Sequence, residues 1–427
     1  MMKMIMFMMI LPILNKKLIM FSLTILTLKV LTMNTNKFMS MISISLSMDN
    51  WAQILILLTI IITSMMTMTM KNQKILISIN IFMLIILTMM FMSLKMMWFY
   101  MMFELSLVPM TIMIMGWGYQ PERMMAGLYL LFYTMTASLP LIISIIFMYK
   151  QMNNDLFSMK FSQKPSSILN MSTMMAFLVK LPMFMLHFWL PKAHVQAPIF
   201  GSMILAGILL KIGGFGIIRF SSTMENSFML MSTLWYSISI VGATSISLIC
   251  MIQGDIKSMI AYSSISHMSM CLMSLLSMNK TGMLGGMTMM IGHGLCSSGM
   301  FFLSNMNYER TMSRSMYINK GMMNFMPTNT MMWFIMSCLN MGCPPSINFI
   351  SEISIMMTML KYWEKSYMFI LFTSLIVSYY SFYMFSYTNH GQFSSNFSFS
   401  STNIKEFNIL IYHIYPMITM SFITEVF

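Results

Sequence analysis

Residues 169–188 read LNMSTMMAFLVKLPMFMLHF. The run is mostly apolar and has the ~20-residue length that crosses the ~30 Å hydrocarbon layer of a bilayer as a helix. Two residues disturb it. Lys180 puts an ammonium inside the run, and Pro182 lacks a backbone donor and clashes with the preceding turn. A charge at that depth costs at least ~2.5–3.5 kcal/mol on insertion scales. Carbonyls freed by a break need partners, so the break survives only where protein or water surrounds it. The stretch reads as a discontinuous membrane helix carrying a costly charge.

The rest of the chain has the same character. Hydrophobic residues are 58% of the 427 and charged residues 8%, against ~25% charged in an ordinary soluble domain. Such a chain cannot cover a water-facing surface, so lipid is its main solvent. The formal charge of +13 comes from 24 Lys and Arg against 11 Asp and Glu. These bases lie mostly in short loops, where they orient helices and meet anionic headgroups. Nucleic acid is not expected as a partner. The 69 methionines stand where Ile and Leu usually sit, and they run through nearly every apolar segment. That spread fits a coding bias, such as reassignment of an isoleucine codon in a mitochondrial genome, better than a Met-rich binding surface. The five cysteines contain no C-x-x-C pair, which argues against an iron–sulfur or zinc site. The chain starts on an apolar run without an Arg- and Ser-rich presequence, so a mitochondrial product would be made inside the organelle.

Counting apolar runs predicts fourteen spans: 2–14, 17–33, 51–70, 74–94, 96–116, 125–148, 169–188, 199–219, 228–252, 257–278, 282–306, 329–359, 366–388 and 405–424. The first two are short. Polar loops are expected at 34–37, 151–163, 307–320 and 389–403. The twelfth span is too long for one straight helix and contains Pro344-Pro345. Breaks in the seventh and twelfth spans, five apart, are the pattern of an inverted-repeat transporter.

Six ionisable residues fall near the middle of these runs: Glu104, Lys180, Lys211, His267, His293 and Glu352. Half the hydrocarbon layer is ~10 helical residues at 1.5 Å each, so all six fit one height. A row at one height runs along the membrane plane and suggests proton handling. Lysine holds or releases a proton according to its solvation and the carboxylate beside it, and histidine titrates near neutrality. Each residue also has a plainer role. A midplane histidine can simply hydrogen-bond between helices, a lysine can snorkel, and Glu352 can satisfy backbone groups at the break. His187 and His194 flank Trp189-Leu190-Pro191-Lys192-Ala193 and are secondary candidates expected near the membrane interface.

Several motifs strengthen this reading. They are Phe103-Glu104-Leu105-Ser106-Leu107-Val108-Pro109, Gly116-Trp117-Gly118-Tyr119-Gln120-Pro121-Glu122-Arg123, and Val179-Lys180-Leu181-Pro182 running on to Pro198. Leu210-Lys211-Ile212-Gly213-Gly214, Ser266-His267-Met268, Gly292-His293-Gly294 and Pro344-Pro345-Ser346 follow. Over residues 96–360 the chain resembles the antiporter-like membrane subunits of respiratory complex I, mitochondrial NADH:ubiquinone oxidoreductase. The Trp-Gly-Tyr-Gln-Pro-Glu-Arg run resembles the subunit-4 branch. The resemblance implies an all-α integral membrane protein of about 14 transmembrane helices, with two inverted five-helix repeats and discontinuous helices 7 and 12. The divisions would be 1–70 for N-terminal helices, 71–220 and 221–390 for the two repeats, and 391–427 for a C-terminal loop and helix.

The same resemblance implies a Glu104–Lys180 switching pair, relay by Lys211 and His293 with His267 alongside, and Glu352 at the end of the path. It implies a multi-pass protein of the mitochondrial inner membrane. Its partners would be lipids and other membrane-arm and accessory subunits, including sister antiporter-like subunits. No cofactor is expected in this chain; NAD, FMN, iron–sulfur clusters and ubiquinone would lie in other subunits. Leu105 and Gln196 stand where the family pattern has Ala and Glu, and Cys343 and Ser351 replace small residues around the second break. A stand-alone cation/proton antiporter is the main rival, since it would show the same row. A haem-binding quinol oxidoreductase would need paired axial histidines. A structural spacer would not retain six midplane charges.

Overall fold

The computed structural model describes residues 2–33, 40–41, 45–70, 73–161, 166–392 and 400–423. The polar loop expected at 34–37 lies outside the described residues, as do parts of those at 151–163 and 389–403. Among the described residues, eight helices are long and apolar enough to cross a membrane. They are Asn50–Thr69, Lys74–Phe91, Met96–Trp117, Arg123–Met152, Ile199–Thr223, Glu225–Ile252, Ile256–Leu276 and Glu364–Asn389. Shorter or more polar helices accompany them: Met2–Ile10, Lys16–Leu31, Ser167–Lys180, Lys280–Thr311, Pro327–Asn340, Ile347–Tyr362 and Ile404–Ile423. A small ribbon departs from the all-α expectation, with Ser40 opposite Met48 and Met41 opposite Ser47 in antiparallel register.

Burial separates inner helices from peripheral ones. The most apolar window of Ile199–Thr223 is 100% buried and that of Ile256–Leu276 94%, against 39% for Arg123–Met152 and 33% for Glu364–Asn389. A helix apolar all round and buried all round belongs to a protein interior. The Lys211 and His267 helices are of this kind.

Both expected breaks are present. Ser167–Lys180 ends on the lysine itself, and the chain turns through 181–188 before the short helix Trp189–Gln196. Pro327–Asn340 ends before Pro344-Pro345, and Ile347–Tyr362 begins after it. Ser346 caps the new helix, its Oγ accepting from the Phe349 amide at 3.3 Å. Two further irregularities were not expected. The helix containing Glu104 is interrupted at Ser106, between Met96–Leu105 and Leu107–Trp117. Pro109, three residues on, cannot donate to the Leu105 carbonyl, which accounts for the interruption. In the next irregular helix, Leu205–Leu209 winds as one π turn just before Lys211.

The chain forms two compact units, Met1–Lys180 with Gln196–Met231, and Leu181–Val195 with Ser232–Phe427. In the first, Ser167–Lys180 packs on Arg123–Met152 and Leu210–Thr223. A phenylalanine cluster fills the space between them: Phe99 lies 5.8–6.4 Å, centroid to centroid, from Phe157, Phe103, Phe220, Phe177 and Phe215. These rings are at edge-to-face and tilted distances that favour aromatic pairs. In the second unit Lys280–Thr311 is the centre, with Ile256–Leu276, Pro327–Asn340, Ile347–Tyr362 and Ile404–Ile423 packed around it.

Candidate functional site

In the first unit the Phe cluster holds Lys180. The lysine is 3% exposed. Its Nζ donates to the Phe103 carbonyl at 3.2 Å and sits 3.3 Å above the centre of the Phe103 ring. That carbonyl and the π face together stabilise the ammonium. Glu104, the next residue, acts on Lys180 electrostatically, yet no ion pair joins them among the described residues. Glu104 is half-buried, and its Oε1 is shielded from solvent without a hydrogen-bond partner. The expected pair is therefore held apart, with Lys180 resting on the neighbour of its carboxylate.

Lys211 is fully buried, and its Nζ donates to the Ala206 carbonyl at 2.5 Å. The π turn makes that bond possible. An i→i+5 winding turns carbonyls out of the helical ladder, and Ala206 lies five residues before Lys211. A buried ion pair lies further along the same helix. Arg219 Nη2 meets Asp49 Oδ1 at 2.5 Å with both side chains 2% exposed, and the guanidinium covers the Phe215 ring at 4.7 Å. Sequence reasoning assigned no role to either. The signal available was an arginine in the last turn of an apolar run and an aspartate just ahead of another.

The loop at 116–123 is organised by its own charges. Arg123 Nη1 donates to the Gly116 and Gly118 carbonyls, which close the preceding helix. Gln196 Nε2 donates to Gln120 Oε1 at 3.0 Å and Glu122 Oε2 at 3.1 Å. At 196, where the resemblance implied a glutamate, this chain has a donor facing a carboxylate.

In the second unit the two histidines meet. His267 and His293 are buried with ring centroids 5.6 Å apart. Tyr380 Oη lies 3.4 Å from His267 Nε2 and 3.2 Å from Ser266 Oγ. The geometry is of hydrogen-bonding groups in series rather than of two facing axial ligands. The Glu352 carboxylate acts on Tyr380 electrostatically and folds back onto the second break. A Cβ placed on Gly342 would stand 2.7 Å from Glu352 Oε2, and Gly342 has φ of +73°. The break is also stitched by Asn348, whose Nδ2 donates to the Leu339 carbonyl at 2.9 Å and whose Oδ1 packs on Gly292 beside His293. A carbonyl freed by the broken helix thus finds a side-chain donor.

His187 and His194 are both buried within the protein, and His194 stacks on Phe301 with centroids 4.6 Å apart. Two buried titratable residues escaped the sequence reading. Lys257, at the start of the His267 helix, lies 5.7 Å from the Tyr308 ring centre. His413 is fully buried in Ile404–Ile423. Counting inward from that segment's edge would have flagged it by the same depth rule that flagged Glu104.

Gly342→Ala is expected to damage the site, since any side chain there meets both a left-handed backbone and the Glu352 carboxylate. The backbone term alone is about 1–2 kcal/mol. Its control is Gly116→Ala, where nothing lies within 4 Å of an added Cβ. The amount of folded protein recovered from membranes should fall in the first variant and stay near the parent's in the second.

Comparison with known proteins agrees with this architecture. The family described as NADH:quinone oxidoreductase/Mrp antiporter, TM, matches residues 93–379. The chain is 45% identical over 327 residues to NADH-ubiquinone oxidoreductase chain 4 of Ceratitis capitata, covering 76% of this chain and 73% of that one. It is 46% identical over 325 residues to the Aedes aegypti chain 4, covering 74% and 72%. Among solved structures, the fold is similar to a chain of respiratory complex I from Thermus thermophilus with bound NADH. That match has a TM-score of 0.88 at 19% identity and covers 98% of this chain and 93% of that one. It is also similar to a chain of the Mrp complex from Dietzia, at TM-score 0.78, covering 88% and 43%. The chain belongs to the NADH-ubiquinone oxidoreductase chain 4 family, within the NADH:quinone oxidoreductase/Mrp antiporter group.

Proposed function

We propose that this chain moves protons as a membrane-arm subunit of NADH:ubiquinone oxidoreductase, in the mitochondrial inner membrane. The observation that carries the reading is the burial of titratable side chains among apolar helices: Lys180, acted on by Glu104, and Lys211 in one unit, and His267 against His293 and Tyr380 in the other. In the first unit Glu104, Lys180 and Lys211 are the working residues. Lys180 holds its proton while Glu104 is near and passes it on when that carboxylate is drawn away; Lys211, just after the π turn, is the next acceptor. In the second unit His267, His293, Tyr380 and Glu352 form the relay, with Glu352 at its end. The breaks at Pro182 and Pro344-Pro345 admit water to the buried groups.

In this reading the chain has fourteen spans in two inverted five-helix repeats, at 71–220 and 221–390, between N-terminal helices at 1–70 and a C-terminal element at 391–427. The breaks then fall in spans seven and twelve. Electron transfer occurs elsewhere. NAD, FMN, iron–sulfur clusters and ubiquinone belong to other subunits, and sister antiporter-like subunits are its neighbours. A stand-alone antiporter is the second reading; the shared length with chain 4 relatives favours the first. Anionic lipid is a further partner. Lys16, Lys17 and Lys74 line a cavity of about 970 Å³ together with apolar Ile13 and Leu18, a combination suited to a headgroup phosphate and its chains.

Glu104→Gln tests the reading, because it preserves shape and removes the charge that acts on Lys180. NADH oxidation and proton uptake are measured together in membrane vesicles holding the assembled enzyme. Proton yield per NADH should fall severalfold; an unchanged yield removes Glu104 from the mechanism.

A further inference from the structure

His413 is a titratable group to which neither the sequence motifs nor the relay above gives a role. Its Nδ1 donates to the Ile409 carbonyl at 2.8 Å, one turn earlier on the C-terminal helix. With that proton fixed, Nε2 is an acceptor, and it is buried without a partner among the described residues. A buried acceptor nitrogen with no partner is costly, and an ordered water bonded to it would supply both a partner and a proton. The ring lies over Gly299, whose missing side chain makes the room: a Cβ there would sit 3.4 Å from His413 Cγ. Gly299 is on the His293 helix, six residues or ~9 Å further along.

Other polar atoms extend from this point in both directions. Toward His293, Cys296 Sγ donates to Asn340 Oδ1 at 3.7 Å. Asn340, Met336, Trp333 and Asn329 form one face of Pro327–Asn340, and Met336 packs on Gly299. Trp333 Nε1, Asn329 Oδ1 and Asn307 Nδ2 are buried polar atoms without partners among the described residues. Asn329 Nδ2 donates to Asn307 Oδ1 at 3.3 Å. The string ends where Asn305 Nδ2 donates to Glu309 Oε1 at 2.9 Å and Arg310 Nη2 meets Glu406 Oε2 at 2.7 Å. That ion pair stands at the helix ends, beside the chain at 400–401, whose carbonyls also accept from Arg310. Buried polar atoms in series are the setting in which ordered waters bridge.

We infer that His413 carries protons on a branch running along the His293 helix, from the midplane relay to the membrane surface at the Arg310–Glu406 pair. The inference rests on the relay reading and adds to it a direction across the membrane. The titratable and charged groups on the elements packed against His413 are Lys280, His293, Cys296, Tyr308, Glu309 and Arg310 on one helix. Cys338 stands on the second, and Glu352, Lys361 and Tyr362 on the third.

The test uses the whole assembled enzyme in vesicles and compares His413→Gln and His413→Leu with Lys180→Met and the parent. A glutamine amide can still donate to the Ile409 carbonyl but cannot titrate, so a purely structural role is rescued by Gln and a proton carrier is not. Both His413 variants should assemble on native gels and show the same lowered proton yield per NADH as Lys180→Met. If Lys180→Met loses yield while His413→Gln keeps the parent's, the branch is overturned and the relay stands. If Lys180→Met keeps the parent's yield, the relay itself fails and the branch with it. Should neither His413 variant assemble, Asn329→Leu interrupts the same string without touching His413, and a parental yield there also overturns the inference.

Discussion

Lys180→Met is expected to leave the enzyme assembled and to cut NADH-driven proton uptake severalfold. The lysine is buried, and it holds the Phe103 carbonyl and the face of the Phe103 ring. Methionine has similar length and no charge, so it fills the same space without a solvation cost, and fold stability should not suffer. What disappears is the titratable group of the last residue of that helix. Lys180→Arg sharpens the test. Arginine keeps the positive charge and the cation–π contact but does not release its proton in proteins. If charge alone mattered, Arg would restore uptake; if release matters, Arg fails as Met does. Normal uptake in the Arg variant would sink the proton-release role while leaving the family assignment intact.

The second large effect concerns stability. Asp49→Leu should cost about 3–5 kcal/mol, because it leaves the Arg219 guanidinium charged in a site where both partners were 2% exposed. The double variant Asp49→Leu with Arg219→Met should recover most of that loss, since removing both charges removes the desolvation cost of each. The amount of assembled enzyme on a native gel and its thermal inactivation temperature give the comparison. A double variant as unstable as the single one would mean that the pair has a further role, for instance in holding the Lys211 helix that carries Arg219.

Parts of this site were legible in the residues and parts were not. Lys180, Lys211, His267 and His293 could be placed inside the protein because each lies deep in an apolar run, and no lipid-facing lysine or histidine is cheap at that depth. The breaks could be located because Pro182 and Pro344-Pro345 cannot continue a helix. The π turn before Lys211 could not, since its winding depends on neighbouring helices rather than on any residue pattern in Leu205–Leu209. The interruption at Ser106 was masked by the unbroken hydropathy around it. His413 was passed over because it falls in a segment with weak resemblance, although depth alone marked it.

Composition and spacing by themselves determined that the chain lives in lipid, that two of its helices are discontinuous, and that scarce charges are buried. Those conclusions rest on the expense of exposing polar groups to hydrocarbon, which acts residue by residue and needs no knowledge of neighbours. Which group each charge meets was decided by the tertiary structure alone: Phe103 rather than Glu104 for Lys180, Ala206 for Lys211, Tyr380 for His267 and Gly299 for His413. Partners far apart in the chain are chosen by packing, where a missing Cβ or an extra residue in one turn shifts a side chain by ångströms, and a hydrogen bond is won or lost over such distances.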